Sequence, residues 1–267
     1  MRARSSALVS ATAMACLALL YLPMAAVAAF SVNASRYGLA WKGFTLSWYG
    51  KLLDNPLILE AARNTLVLAT ASTAIATVLG TMLALGLYRL PWPRRLRRVL
   101  DLVLYLPVVT PDIVFAVAMV SAFGLLRTVW SLFDPGIVPM IIAHVTFQIA
   151  FVALVVGSRL ATIGRTVEEA ARDLYASTAY LTRRVLLPLL APGIVAAAML
   201  AFTLSLDDFI ISFFTAGPDS VTLPIFIYSS LRRGVSPEIH ALSTLIFLVT
   251  VVLVVGLQLL TRTTRRT

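Results

Sequence analysis

The sequence predicts an all-α, polytopic membrane protein with six transmembrane helices. Three observations carry that expectation. The 267 residues are 60% hydrophobic and only 13% charged, with a mean hydropathy of +0.92, whereas a water-soluble domain carries about 25% charged residues. Six apolar segments, near 7–30, 64–88, 99–126, 137–158, 188–214 and 240–261, can each cross roughly 30 Å of hydrocarbon at about 1.5 Å per residue. The net charge of +10 comes from 20 Arg and two Lys grouped in short stretches between those segments. That is a membrane pattern, not a basic surface with interleaved aromatics for nucleic acid.

Each segment has its own signals. The first follows Arg2 and Arg4 and ends around Ala25–Ala29. Its apolar length of about 24 residues exceeds the roughly 7–15 of a secretory signal core, so it reads as a spanning helix. Residues 31–60 form a long loop. Within it 44–53, with Phe44, Trp48, Tyr49 and Leu52 among polar residues, predicts an interfacial helix. The third segment holds Pro107 and Pro111, whose missing N–H groups should break or kink the helix just before Asp112.

Between the fourth and fifth segments lies a charged loop, 159–187. Within it Val167–Leu174 has helical composition, with Ala170, Ala171 and Leu174 on one small apolar face and Glu168, Arg172 and Asp173 elsewhere. Small alanines let another protein's backbone come close. Ser236-Pro237-Glu238 should start the last span. Ser caps, Pro fits the first helical position, and Glu complements the positive end of the dipole. With no internal repeat or low-complexity stretch, 1–267 is expected to be a single domain.

Orientation follows from the basic residues. With the N-terminus inside, the inner segments hold fifteen Arg, and the outer ones hold Arg36, Lys42, Lys51, Arg63, Arg127, Arg232 and Arg233, seven in all. Fifteen against seven puts both termini and the 159–187 loop in the cytoplasm, and 31–60 outside.

Several chemistries are excluded. Cys16 stands alone, and His144 and His240 have no ligand spacing, so no disulfide framework or metal centre is expected. A phosphate-cradling loop needs Gly-Lys followed by Ser or Thr, yet the lysines are followed by Gly43 and Leu52. This chain binds no nucleotide cofactor of its own; any ATP and its magnesium belong to a partner.

A carboxylate within a span costs roughly 2.5–3.5 kcal/mol on insertion scales and usually has a task or a partner. Asp112, Asp207 and Asp208 are such residues, accompanied by Phe202, Phe209, Phe213 and Phe214. Carboxylates with aromatic faces suit ammonium groups and repel anions. Structural roles compete: Asp112 could cap a helix after Pro111, and either of the adjacent pair could meet a basic residue of a partner. On one continuous helix neighbours lie about 100° apart, so Asp207 and Asp208 should not face the same way. The phenylalanines taken singly are ordinary packing or lipid-facing residues.

In the charged loop, Glu169-Ala170-Ala171, then Tyr175, then Val185-Leu186-Leu187-Pro188 resembles the EAA loop of ABC importer permeases. That resemblance implies a type I importer permease fold, with coupling helices that dock on an ATPase subunit. The implied docking residues are Glu168, Glu169, Ala170, Ala171, Asp173, Leu174 and Tyr175. The family has Gly where Tyr175 stands, and Gly accepts positive φ readily while Tyr resists it. Either the turn uses ordinary dihedrals here, or the docking geometry has shifted.

A wider resemblance covers nearly the whole chain. Phe202-Thr203-Leu204-Ser205-Leu206-Asp207-Asp208-Phe209, Gly217-Pro218, Leu223-Pro224, Ile227-Tyr228-Ser229 and Gly234-Val235-Ser236-Pro237-Glu238 carry it. So do Ser35-Arg36-Tyr37-Gly38, Trp48-Tyr49 and Pro111-Asp112-Ile113-Val114. Together they are similar to the C-type permease of spermidine/putrescine importers, with His240 where that family usually has Asn. The resemblance implies a multi-pass permease of the bacterial inner membrane. Its partners would be a sister permease, an ATPase dimer, an external binding protein and lipid, with no nucleic acid. Trp48, Asp112, Ser205, Asp207 and Asp208 would then line the cation path.

Rival readings are a permease for an opine, an amino acid derivative or ferric iron, and a proton-coupled secondary transporter. An intramembrane aspartyl protease is disfavoured because the Gly-x-Gly-Asp sequence is absent. A non-catalytic permease subunit is expected.

Overall fold

The structure, a computed structural model, describes residues 2–35, 40–234 and 236–263. Arg36, Tyr37, Gly38, Val235, Arg265 and Arg266, which enter the charge count or the resemblance, lie outside the described residues. Among the described residues the secondary structure is helical, apart from one isolated antiparallel bridge between Asn33 and Phe44.

The helices in chain order are α1 (Arg2–Ser31), α2 (Ser47–Asp54), α3 (Pro56–Arg89), α4 (Arg94–Val109), α5 (Asp112–Leu126), α6 (Ile137–Ile163) and α7 (Thr166–Asp173). They continue with α8 (Thr178–Tyr180), α9 (Leu187–Leu206), α10 (Ile210–Thr215), α11 (Leu223–Arg233) and α12 (Pro237–Thr263). A π-helical stretch, Leu181–Leu186, joins α8 to α9.

Among the described residues, four stretches are long and apolar enough to cross a bilayer: Val9–Ser31, Pro56–Arg89, Ile137–Ile163 and Thr178–Leu206. The expected third span is not one straight helix. α4 and α5 meet at 107° and make a fifth crossing only if counted together. α12 is 27 residues long, but only its first part, Pro237–Val252, enters that measure. Length and apolarity therefore support four or five crossings directly, not the expected six.

Local chemistry explains the boundaries. α3 starts at Pro56, earlier than its apolar run, because Pro suits the first helical position and the Asn55 side chain accepts the Leu57 N–H at 3.1 Å. α12 starts at Pro237, as its Ser-Pro-Glu signal predicts. α4 stops at Val109 because Thr110 precedes Pro111 and takes the extended conformation that position favours, φ −70° and ψ 131°. Pro107, within the last turn of α4, does not break it.

The chain forms two compact units, one holding everything up to Leu59 and from Phe226 onward, the other holding Glu60–Ile225. In the first, α1 and α2 both pack on α12, and the Phe30 and His240 ring centroids lie 6.1 Å apart. Buried Asn33 organises the turn after α1. Its amide N–H donates to Ala40 O at 2.9 Å, and its Oδ1 accepts from the N–H of Ser35 at 3.2 Å and of Lys42 at 2.9 Å. Trp48 and Leu52, one turn apart on the amphipathic α2, are both buried.

In the second unit α6 packs along α9 and against α4, while α5 packs on α10. Its core includes Leu87, Leu104, Val152, Val156, Leu160 and Leu190. α3 and α6 approach so closely at Gly80 that a Cβ there would sit 2.6 Å from the Val152 side chain. Small residues commonly permit such contacts between membrane helices.

Candidate functional site

The second unit contains two interruptions of apolar helix, and both carry acids. After the Thr110-Pro111 break, Asp112 opens α5 in its first turn, where the helix dipole favours a negative charge. The fifth apolar segment is broken as well: α9 ends at Leu206 and α10 begins at Ile210. The expected continuous helix over 188–214 is therefore corrected, and with it the expectation that Asp207 and Asp208 diverge. Freed from helical spacing, both line one cavity with Asp112.

That cavity is about 490 Å³, with Phe115, Phe147, Phe151 and Phe209 in its walls and Pro107 and Leu204 at its edge. Among the described residues, no lysine or arginine lines it. Phe115 and Phe147 meet edge to face at 6.3 Å, as do Phe147 and Phe151 at 6.1 Å, so the negative faces and positive edges of the rings interlock. No lysine or arginine pairs with Asp112 or Asp207 among the described residues.

Asp208 differs from its neighbours. Its Oδ1 accepts from Ile211 N–H at 3.3 Å, and its Oδ2 accepts from Ser212 N–H at 2.8 Å. His144 Nε2 lies 3.3 Å from the same Oδ2 and 3.1 Å from Ser212 Oγ. The other ring nitrogen, Nδ1, is 2.8 Å from Ser205 Oγ, which in turn lies 3.2 Å from Ser72 Oγ. His144, Ser72 and Ser212 are fully buried. One turn along α6, buried Gln148 donates to Ala201 O at 3.0 Å.

Ser72, Ser212 and Gln148 do not stand out in the sequence, and His144 does so only as a metal-ligand candidate without ligand spacing. A signal existed: His144 and Gln148 sit four residues apart in a long apolar helix, where polar side chains need a reason. Ser205 was expected on the path but is 2% exposed and bonded to His144. Trp48 belongs to the other unit, where it is 7% exposed and donates its indole N–H to Asn33 O at 2.8 Å.

The charged loop forms a second feature of the same unit. Asp173 ends α7, Leu174 caps it, and Tyr175 follows with φ 61°. Tyr175 N–H donates to Arg172 O at 2.8 Å and Ala176 N–H to Ala171 O at 3.0 Å. This double bond pattern is the Schellman ending, which normally places Gly at the left-handed position. Of the two alternatives left open for this turn, ordinary dihedrals are ruled out: Tyr175 takes the conformation that suits Gly.

Glu169, Ala170, Asp173, Leu174 and Tyr175 are exposed, and Tyr175 is 98% so. Ala171 instead packs against the unit's own core. Glu168, which the resemblance implies among the docking residues, turns inward instead. It is buried and forms an ion pair with Arg89, whose guanidinium also donates to Leu160 O at 3.2 Å and Gly164 O at 3.0 Å. Periodicity places Glu168 off the alanine face but does not reveal that Arg89 of α3 waits there.

A family model described as "Binding-protein-dependent transport system inner membrane component" matches residues 76–266. The chain belongs to this family. As an inner membrane component of a binding-protein-dependent system it is a transport subunit, not a catalyst. The spermidine/putrescine transport system permease protein PotC of Escherichia coli strain K12 is 38% identical over 245 residues, 92% of this chain and 90% of its own. The putrescine transport system permease protein PotI of the same strain is 38% identical over 228 residues, 85% of this chain and 81% of its own.

Among solved structures, a chain of a bacterial ABC transporter that imports the acidic polysaccharide alginate superposes with a TM-score of 0.75. It covers 98% of this chain and 95% of its own at 19% identity, which establishes the fold. This component is thus an all-α, multi-pass permease with the helical architecture of ABC importer subunits.

Proposed function

We propose that this permease passes a small organic cation inward through the acidic cavity of its second unit, and that the cargo is a polyamine of the spermidine or putrescine kind. One observation carries the reading: three carboxylates line a cavity walled by phenylalanine and, among the described residues, free of lysine and arginine. An ammonium group gains Coulomb attraction from each carboxylate and cation–π attraction from each ring face. The same lining repels sulfate, phosphate or a free carboxylate. The 38% identity to permeases named for spermidine and putrescine supports it.

Work is supplied from outside the chain, by ATP and magnesium on a partner ATPase dimer. The exposed part of the charged loop, Glu169, Ala170, Asp173, Leu174 and Tyr175, docks there from the cytoplasmic side. Glu168 serves that contact indirectly, by tying α7 to α3. A sister permease completes the pathway, and an external binding protein delivers cargo to the 31–60 loop. Trp48 acts from within its own unit by holding α2 and that loop in shape.

ATP-driven uptake of labelled putrescine by the assembled transporter in proteoliposomes tests the proposal. Unlabelled spermidine or putrescine should suppress the signal, and sulfate should not. ATP-driven uptake of another solute that ignores both amines would overturn it.

A further inference from the structure

The three carboxylates of the cavity are not equivalent, and what makes them differ is a buried chain of polar side chains. A carboxylate has about four lone-pair directions. Three on Asp208 are engaged, by the N–H groups of Ile211 and Ser212 and by His144 Nε2. Asp112 and Asp207 have no such set of partners among the described residues, and both are exposed to the cavity.

The proton on His144 can be placed by elimination. Both Asp208 oxygens accept backbone N–H groups, so the carboxylate stands here as an acceptor. A bare Nε2 at 3.3 Å from Oδ2 would set lone pair against lone pair. Nε2 therefore carries hydrogen, shared between Asp208 Oδ2 and the Ser212 oxygen at 3.1 Å, and in neutral imidazole Nδ1 is then an acceptor. Ser205 Oγ, 2.8 Å away, supplies the O–H, and its own oxygen accepts from Ser72 Oγ at 3.2 Å. Each hydrogen in the row then points the same way, from Ser72 to Ser205, from Ser205 to His144 Nδ1, and from His144 Nε2 to Asp208. Such chains polarise one another.

Resting on the cation-path reading, we infer that His144, backed by Ser205 and Ser72, is a positioning residue that fixes Asp208 at the break between α9 and α10. Asp112 and Asp207 are left as the two carboxylates that meet the cargo. This assigns Ser205, expected on the path, to the support behind it. It also gives the cargo class a reason: two unpaired acids on one cavity match a molecule with at least two ammonium groups.

A double-mutant cycle on ATP-driven putrescine uptake by the assembled transporter reads this directly. His144→Ala should lower uptake roughly tenfold, the effect of losing about 1.4 kcal/mol, and His144→Gln, which keeps an N–H donor, should restore most of it. In an Asp208→Asn background the His144→Ala loss should vanish, whereas in an Asp207→Asn background it should persist in full. Loss of the same size in both backgrounds, or no loss at all, would overturn the inference.

A second measurement needs no cargo and no variant that must fold. Nitrogen NMR of the full chain, labelled on its two histidines and reconstituted with unlabelled partners, should show His144 protonated on Nε2 and bare on Nδ1. The opposite tautomer would overturn the assignment. Wild-type transporter that takes up no amine but shows the expected tautomer would overturn the cargo reading alone.

Discussion

At Tyr175 a bulky residue occupies backbone that ordinarily selects glycine. Left-handed φ brings Cβ against the carbonyl and costs roughly 1–2 kcal/mol for an L-residue. The two Schellman bonds and the fully exposed ring show what holds it: the turn ends α7, and the side chain meets nothing of its own unit. Tyr175→Gly should therefore tighten the turn by about 1 kcal/mol, offset in part by the flexibility of glycine. Hydrogen exchange at the Ala176 amide checks this: slower exchange by a few-fold is expected, and faster exchange would show that the turn carries no strain. The motif that revealed the loop in sequence said nothing of this outcome, because residue identity at one position does not reveal whether a turn or a side chain gives way.

Among the elements, α7 is a short helix with two unlike faces. Glu168 and Glu169 are neighbours in sequence, yet one is buried on Arg89 and the other is exposed. Removing one partner of a buried ion pair costs about 3–5 kcal/mol because it strands the other charge, while exposed substitutions stay within about 0.5 kcal/mol. Glu168→Ala should thus lower the melting temperature of the purified permease by several degrees. Glu169→Ala should leave it unchanged but weaken co-purification with the ATPase. Equal effects of the two on stability would contradict the assigned faces. Sequence pattern gave the helix and its alanine stripe; it could not give Arg89, about eighty residues upstream in the chain and brought to α7 only by the packing of α3.

The helix breaks divide in the same way. Pro111 announced the first, since the residue before proline favours extended backbone. No glycine or proline marks the second, after Leu206, so a continuous helix was the natural expectation. The break is held partly locally and partly by tertiary contact: the Asp208 carboxylate accepts the N–H groups of Ile211 and Ser212 at the start of α10, as capping side chains do, and meets His144 of α6. The presence of acids near mid-span was legible, and so was a shared path for Asp112, Asp207 and Asp208; that the adjacent Asp207 and Asp208 face one cavity together was not, because helical spacing forbids it until the helix is broken.

At the scale of the whole molecule, composition and charge placement set the class. A chain with 60% hydrophobic residues, its arginines confined to connecting stretches, has the bilayer for a solvent and no phosphate-binding loop with which to drive itself. Its division into two compact units was not legible, since the first unit joins the two ends of the chain, α1 with α12, through contacts that no local pattern encodes. The second unit holds both the acidic cavity and the charged loop, so the proposed cation path and the proposed point where work enters belong to one compact body. The most direct measurement is putrescine accumulation and ATP hydrolysis recorded in the same proteoliposomes, with Asp112→Asn and Asp207→Asn combined in the assembled transporter. Accumulation should fall at least tenfold, since about 1.4 kcal/mol of lost cation stabilisation suffices for that, while the complex still assembles and hydrolyses ATP. Accumulation at the wild-type level would contradict the assignment of this cavity as the path.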